Sequence, residues 1–563
     1  MKNSLKSKNF SSKPTSNSKR SHTADKKTSS EKNLEKVDWS GLGDKKDSEL
    51  TLEDLKPRDR QGGYPLNTPK WYQRAVEIIP GLITWFFLLL PIISALLGFP
   101  QVVIYYISFL AIYWTYRGFR FVYGVLVGFL RMKRDLATDW VEKLESLPNK
   151  RDFNYVLICP LVKEGLDVLE PAFENWAHQD IDAKKISVVF ALEEKFKDVS
   201  LPNTEVIIKK YGHYFKEVMT FLHPNNIEGE VQGVKGANIN WATRHFVREV
   251  QKRGENIEDY LLITNDSDFR PDLKYLSAVT YKYLNVENPK QKFFTSAVYK
   301  LTNNLWDVPL FVRTQSSFLT LVLLHSWVVD RKKKDTFSAY IVNLETVARV
   351  GYWDPAVGID DTTFYWNAKI RFAGDFYGEE VYVPVSNDAV QNKTTLLTYR
   401  SLYKQQHRWG AGVIAFPIAM SGLRDKARFD IYTRLKLVTE LIDTHVFFLT
   451  LVYLLTFALP IMSLLSPNYR YSAASILLPK FMSSLFTLLF ALNIPIYLVK
   501  RAILKPPKHW SIFRIFLDLM ETFLITVNML TLTFIPYIQA QTELMLGKGL
   551  KKEYYATEKV RSS

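Results

Sequence analysis

Polar and apolar positions fall into blocks along the chain. Residues 1–70 are dominated by Lys, Ser, Asn, Asp and Glu, with Phe10 and Trp39 the only aromatics before Tyr64. Such a segment buries too little apolar area to offset the entropy of ordering it, so the pattern predicts a disordered basic tail over 1–70. Two apolar runs follow, 78–99 and 102–123, joined at Gly98-Phe99-Pro100-Gln101 and interrupted only by Arg117 and Arg120 near the end of the second. Each is long enough to cross a bilayer, and the pair predicts an N-terminal transmembrane hairpin over 71–135. Runs 444–465 and 476–499 predict two further spans. The last run, 512–546, reads either as a simple fifth span, which would put the basic tail 547–563 outside, or as a re-entrant or kinked passage near Pro536, which keeps it inside as the positive-inside bias favours; it closes a C-terminal transmembrane region over 441–546.

Between these blocks, residues 136–395 change period. Tyr155-Val156-Leu157-Ile158-Cys159 is a short apolar run before a loop, 166–178 has helical spacing, and Ile186-Ser187-Val188-Val189-Phe190-Ala191 and Leu261-Leu262-Ile263-Thr264 are further strand-like runs. Strands alternating with helices predict an α/β domain with an open, mostly parallel sheet, whose ligands bind beyond the carboxyl ends of the strands. Residues 396–440 predict interfacial amphipathic helices between this domain and the C-terminal spans.

Composition narrows the partners. The chain has 563 residues, 47% of them hydrophobic, and a net charge of +16, a field that attracts nucleic acid, anionic lipid and phosphorylated substrates alike. The tail has almost no aromatics to stack on bases, so the expected partners are membrane lipids and a phosphorylated ligand, with no nucleic acid. Basic residues precede the first hairpin, and Arg131, Lys133 and Arg134 follow it; Lys500, Arg501, Lys505 and Lys508 follow the fourth run. The positive-inside bias therefore predicts a multi-pass plasma-membrane protein with its α/β domain in the cytoplasm. No apolar core lies close enough to the N-terminal basic residues for a cleavable signal, so the first span is expected to remain. Cys159 is the sole cysteine, which excludes an intrachain disulfide and a Cys/His zinc site.

Three constellations carry candidate chemistry. Asp266-Ser267-Asp268 follows the third strand-like run. In an extended segment, residues i and i+2 point the same way, so Asp266 and Asp268 are expected to present two carboxylates to one Mg2+ or Mn2+ ion while Ser267 faces away. Asp360-Asp361 precede an amphipathic helix over 362–373; a carboxylate there either caps the helix or acts as a general base, and Asp361 is the expected base. Gln405-Gln406-His407-Arg408-Trp409 lies in an amphipathic stretch before the third span. It reads as a headgroup-level anchor and as a substrate clamp in which Trp409 offers a face to a sugar while Gln405 and Arg408 donate to phosphate or sugar oxygens. His407 has no second metal ligand near it in sequence and is expected to be incidental.

These motifs, in this order, resemble the membrane-embedded processive branch of glycosyltransferase family 2, the cellulose, mannan, chitin and hyaluronan synthases, from about residue 150 onward. Lys235-Gly236-Ala237-Asn238-Ile239-Asn240 resembles that family's Lys-x-x-Ala-Leu-Asn segment, Asp266-Ser267-Asp268 its Asp-x-Asp, Asp360-Asp361 its Thr-Glu-Asp and Gln405 to Trp409 its Gln-x-x-Arg-Trp. The tail Glu553-Tyr554-Tyr555-Ala556-Thr557-Glu558-Lys559 is similar to a cytosolic Trp-x-x-Thr-x-Lys ending of some members. The resemblance implies an inverting glycosyltransferase of fold type A. Asp266 and Asp268 would hold the donor diphosphate through the metal, and Asp361 would be the base. Glu164, Glu193, Lys235, Asp360, Gln405, Arg408 and Trp409 would bind the nucleotide-sugar donor and a glycan or lipid acceptor, giving a β-linked polysaccharide. Departures stand at Pro160-Leu161-Val162-Lys163-Glu164, where the family has Pro-x-x-Asn-Glu, at Glu193 or Glu194 in place of Asp, and at Ile359-Asp360-Asp361 in place of Thr-Glu-Asp. The alternatives are a transferase that adds a single sugar to a lipid, and a non-catalytic membrane protein that binds nucleotide or polysaccharide. Oligomeric state is not readable.

Overall fold

The computed structural model describes residues 60–148, 151–225, 227–231, 233, 235–330, 335–425 and 429–548. Residues 1–59 and 549–563, and with them the Glu553 to Lys559 ending, lie outside the described residues. Residues 60–70 depart from the disorder expected of them. Arg60–Gln61 pairs antiparallel with Tyr64–Pro65, and the buried Arg60 guanidinium donates to the Val350 carbonyl at 2.5 Å. Long-range bonds of this kind fix a segment whose own composition would not.

The α/β domain is built on a seven-stranded sheet. Its strands are β1 (Asn154–Leu161), β2 (Ile186–Glu193), β3 (Glu217–His223), β4 (Tyr260–Thr264), β5 (Lys292–Ser296), β6 (Tyr340–Asn343) and β7 (Tyr377–Val381), in the order β7-β5-β6-β4-β1-β2-β3. All pairings are parallel except those of β6, which runs antiparallel to both β4 and β5. The three apolar runs read from sequence are β1, β2 and β4, and the helix expected over 166–178 is Leu166–Ala177. Their continuous hydrophobicity has a plain cause, since both faces of the sheet are covered. Tyr155, Leu157 and Cys159 of β1 pack into one core, while Val156 and Ile158 pack into the other with Val189 and Ala191.

That second core continues into the helices beyond the domain and includes Val125, Leu321, Leu324, Val499 and Leu544. Helix Leu310–Val329, not singled out by sequence, lies inside the segment expected to be purely cytosolic and packs along Pro100–Ala137. Glycine permits the approach: a Cβ on Gly124 would lie 3.0 Å from the His325 carbonyl oxygen, and one on Gly128 would lie 2.5 Å from Leu324. Two helices are long and apolar enough to cross a membrane, Lys70–Leu96 and Ala474–Leu504, and the number rises to four if two bent pairs each count as one span. Pro100–Ala137, the expected second span, is not among the two; its tyrosines, Arg117 and Arg120 dilute its apolar character. The outward faces of these helices expose large apolar side chains, among them Leu82, Phe86, Phe109, Ile112, Leu477 and Leu488.

Two expectations change in detail. The final stretch bends by 41° between Ile512–Phe523 and Ile525–Met545, at Leu524 and not at Pro536. Pro536 lies inside Ile525–Met545, and the wide π-turn Met529–Thr533 just before it gives its ring room. The 396–440 segment is not uniformly interfacial. Thr395–Gly410 is amphipathic, but Ala415–Gly422 is buried, with Gly422 set so closely on Ile370 that a Cβ would meet its side chain at 2.3 Å.

Candidate active site

The carboxyl ends of β1, β2, β3 and β4 share one edge of the sheet, and the amino end of the antiparallel β6 reaches the same edge, with Tyr340 opposite Thr264. Asp266 follows β4 there. The backbone does not stay extended: the Phe269 N–H donates to the Asp266 carbonyl at 3.1 Å, closing a turn over Asp266 to Phe269. The alternation expected for Asp266 and Asp268 is therefore lost, and Ser267 is buried instead of facing away. Asp268 is 1% exposed and accepts from the Asn387 side chain at 3.0 Å and from the Asp388 N–H at 2.7 Å, at the end of the short strand Val385–Asn387 and just past it. Asp266, with 38% of its side chain exposed, reaches into the open edge and pairs with Lys235 at 3.1 Å.

Lys235 opens helix Lys235–Lys252 and also donates to the Ser338 carbonyl at 3.0 Å. Burial would lower its pKa, but Asp266, Asp360 and Asp361 outweigh that and hold it above the usual lysine value. Gly236 is required next to it, because a Cβ there would lie 2.8 Å from the Asp360 Cβ. Asn238 ties the helix to the sheet by donating to the Ala191 carbonyl at 2.8 Å.

Asp360 and Asp361 are the first residues of helix Asp360–Arg371, after Ile359 at the N-cap, so the cap reading fails for Asp360. Asp361 accepts from the Thr362 N–H at 2.8 Å, and its carbonyl accepts from the Thr336 hydroxyl at 2.6 Å. Burial, then the Asp360 carboxylate, push the Asp361 carboxyl up to about 7, against the opposing pull of Lys235 and Arg408. Burial raises Asp360 as well, with Lys235 the main opposing charge.

Arg408 thus shares its field with both carboxylates, from helix Thr395–Gly410. Gln405 and Trp409 are half-buried on that helix, while Gln406 is 1% exposed and accepts from Gln315 at 3.5 Å. His407 is not incidental: its Nε2 lies 3.0 Å from Glu543 and, with Tyr403 donating to Gln539 at 2.7 Å, it fastens the helix to Phe534–Met545. Gly410 allows this contact, since a Cβ would meet the Tyr537 backbone at 2.8 Å.

Glu164 and Glu193 lie further along the edge. Glu193 ends β2, is 6% exposed, and is raised by burial and by Glu230 and Glu164. Glu164 folds back and accepts from the Val162 and Lys163 N–H groups at 2.7 and 3.0 Å, so one of its oxygens holds its own loop. Sequence reasoning missed Tyr299, Ser338 and Tyr340. Tyr299 pairs with Ser338 at 3.3 Å beside Asp266, and Tyr340 accepts from the Trp353 indole at 3.1 Å beside Asp360. No local signal marks them; strand pairing brings them in.

A hard divalent cation suits the donor set in kind. Every candidate ligand at the Asp266 turn is oxygen, and Asn265 Oδ1, Ser267 Oγ and Asn387 Oδ1 are buried without a hydrogen-bond partner among the described residues. No group of three or more His, Cys, Asp or Glu converges as a metal cluster among the described residues, but Mg2+ needs only one or two carboxylates when a substrate supplies phosphate oxygens.

No family model matches the chain, and no curated protein matches its sequence. Among solved structures it is similar to a mannosyltransferase from Pyrobaculum calidifontis in complex with GDP-Man and Mn2+, at 16% identity over 72% of this chain and 100% of that one, with a TM-score of 0.39. It is also similar to S. aureus TarS in complex with UDP-GlcNAc, at 12% identity over 63% of this chain and 91% of that one, with a TM-score of 0.28. Both overlaps are loose.

Proposed function

We propose that the chain is a membrane-bound inverting glycosyltransferase that moves a sugar from a nucleotide sugar to a glycan or lipid acceptor, making a β-linked product. One observation carries this reading: Lys235, Asp266, Asp360, Asp361 and Arg408, drawn from four separate segments, form one charge cluster at the carboxyl edge of the sheet. Two cations suit a diphosphate, with Lys235 a point charge and Arg408 a forked donor. Asp361 is tuned near neutrality, where a general base works best. It takes the proton of an acceptor hydroxyl as that oxygen attacks the anomeric carbon. The bond to the diphosphate oxygen breaks, and the electron pair leaves on the diphosphate, whose charge Lys235 and Arg408 stabilise. Attack opposite the leaving group inverts the anomeric centre. Burial raises Asp360 as well, and Lys235 and Arg408 oppose that rise at both carboxylates.

Asp266, with Asp268 behind it, would hold a Mg2+ or Mn2+ ion, which supplies charge neutralisation at the diphosphate when bound. Outward apolar helix faces support a multi-pass bilayer location, with the α/β domain on the cytoplasmic side and Thr395–Gly410 at the headgroup level. The test is release of nucleoside diphosphate from a panel of nucleotide sugars by the protein in native membranes, with Asp361→Asn as control. Turnover with at least one donor and its loss in the variant support the reading. No turnover with any donor leaves a binding protein, and a product carrying a single added sugar replaces the polymerase by a glycolipid transferase.

A further inference from the structure

The loop that leads into the Asp360–Arg371 helix is held from outside the α/β domain. Helix Leu344–Val350 ends on two residues with left-handed backbone, Gly351 at φ 85° and Tyr352 at φ 61°. The second is an unusual conformation for a residue with a side chain, and it persists only when its surroundings fix it. Three contacts do so from within the domain. The Arg244 guanidinium stacks 4.1 Å from the Tyr352 ring, the Trp353 indole donates to the Tyr340 hydroxyl, and its ring stacks 5.5 Å from Phe364 on the base-bearing helix.

Further contacts come from the hairpin at residues 60–65. One nitrogen of Arg60, a residue only 3% exposed, donates to both the Val350 carbonyl at 2.5 Å and the Tyr352 carbonyl at 3.3 Å. These are carbonyls at and just beyond the helix terminus, where intrahelical partners run out. Three residues after Arg60, the Gly63 N–H donates to Asp354 Oδ2 at 2.7 Å, while Asp354 Oδ1 accepts from the Ala356 N–H at 3.0 Å. The hairpin itself is anchored elsewhere. The Tyr64 hydroxyl donates to Glu77 of helix Lys70–Leu96 at 2.9 Å, and a Cβ on Gly63 would strike Ile418 of the buried Ala415–Gly422 helix at 2.7 Å. Only five residues separate Asp354 from Asp360, so a shift at the clamp is passed to the first turn of the base helix.

We infer that Arg60 is a positioning residue for the catalytic base. Through Val350 and Tyr352 it sets the loop that aims Asp361, and with Gly63 and Tyr64 it couples that aim to the first apolar helix. The inference rests on the glycosyltransferase reading of the same site, and goes beyond it by giving the chain N-terminal to the first helix a part in the reaction. A displaced base slows proton transfer but leaves the diphosphate cations where they are. The effect therefore belongs in kcat and not in donor binding.

The test uses the full chain in membranes, with Arg60→Ala, Arg60→Lys and Asp354→Asn compared with wild type for kcat, donor KM and nucleoside-diphosphate Kd. The expected result is at least a tenfold loss of kcat in Arg60→Ala, with KM and Kd within twofold. Recovery to within about threefold is expected in Arg60→Lys, which keeps a donor for one carbonyl, and a smaller kcat loss in Asp354→Asn. Unchanged kcat in Arg60→Ala overturns the inference, as does a loss that follows the amount of folded protein and is not recovered by lysine. If Arg60→Ala does not accumulate, Asp354→Asn decides, and wild-type kcat there is equally fatal. The underlying reading fails separately, by turnover that survives in Asp361→Asn.

Discussion

Asp361 is a carboxyl whose chemistry is set by its neighbours. Burial and Asp360 raise it to about 7, while Lys235 and Arg408 pull the other way. A base must be ionised to work, so kcat/KM is expected to climb as pH rises through about 7, and a flat profile between pH 5.5 and 8.5 contradicts the assignment. Removing a cation that favours the ionised form raises the pKa further. Arg408→Gln is therefore expected to move that rising limb to higher pH and to raise the donor KM, and a shift towards lower pH would refute the electrostatics. Asp361→Asn should lower kcat by about 10²- to 10⁴-fold with little change in nucleoside-diphosphate affinity, as for loss of a general base. The Asp266 turn makes a further prediction. A chelator should abolish turnover, and Mn2+ or Mg2+ should restore it in wild type but not in Asp266→Ala.

At the scale of elements, close backbone approach decides what can be substituted. Lys235–Lys252 and Asp360–Arg371 meet end to end at Gly236, and Pro100–Ala137 meets Leu310–Val329 at Gly124 and Gly128. Gly124→Ala places a Cβ 3.0 Å from a backbone oxygen that cannot turn aside, an overpacking that typically costs about 1–3 kcal/mol. It should lower the detergent-solution unfolding midpoint while leaving donor KM unchanged. The same layer holds a buried ion pair, since Arg313 of Leu310–Val329 donates twice to Glu521 of Ile512–Phe523, at 2.8 and 2.7 Å. Glu521→Gln leaves two arginines, Arg313 and Arg514, without their shared carboxylate and is expected to destabilise by roughly 3–5 kcal/mol. The double variant Arg313→Met/Glu521→Leu should recover most of that loss, and if it is no more stable than the single variant the pairing account is wrong.

For the whole molecule, one core extends from the sheet face into the helical layer, and Arg408 of the charge cluster stands on Thr395–Gly410, which packs on Phe534–Met545. The proposed bilayer orientation predicts which residues are reached from each side. Cys159 is buried, so reporter cysteines can be read against almost no background. Gln101→Cys, exposed in the first turn of Pro100–Ala137, should react with a membrane-impermeant maleimide on intact cells. Leu273→Cys, exposed on the α/β domain, should react only after lysis, and equal labelling would exclude the orientation. Much of this was legible in the sequence because it is local. Apolar runs give β1, β2, β4 and most of the helical layer by period and length alone, and the motif spacings pick out Lys235, Asp266, Asp360, Asp361 and Arg408. Side-chain chemistry fixes the repertoire of such a site before any folding. Only the tertiary structure could turn Asp268 inward on Asn387, bring Tyr299 and Tyr340 to the edge, pair His407 with Glu543, and order residues 60–65 through bonds to Val350, Tyr352 and Asp354. Those outcomes depend on contacts between residues tens to hundreds of positions apart, whose energies no local pattern of polar and apolar residues encodes.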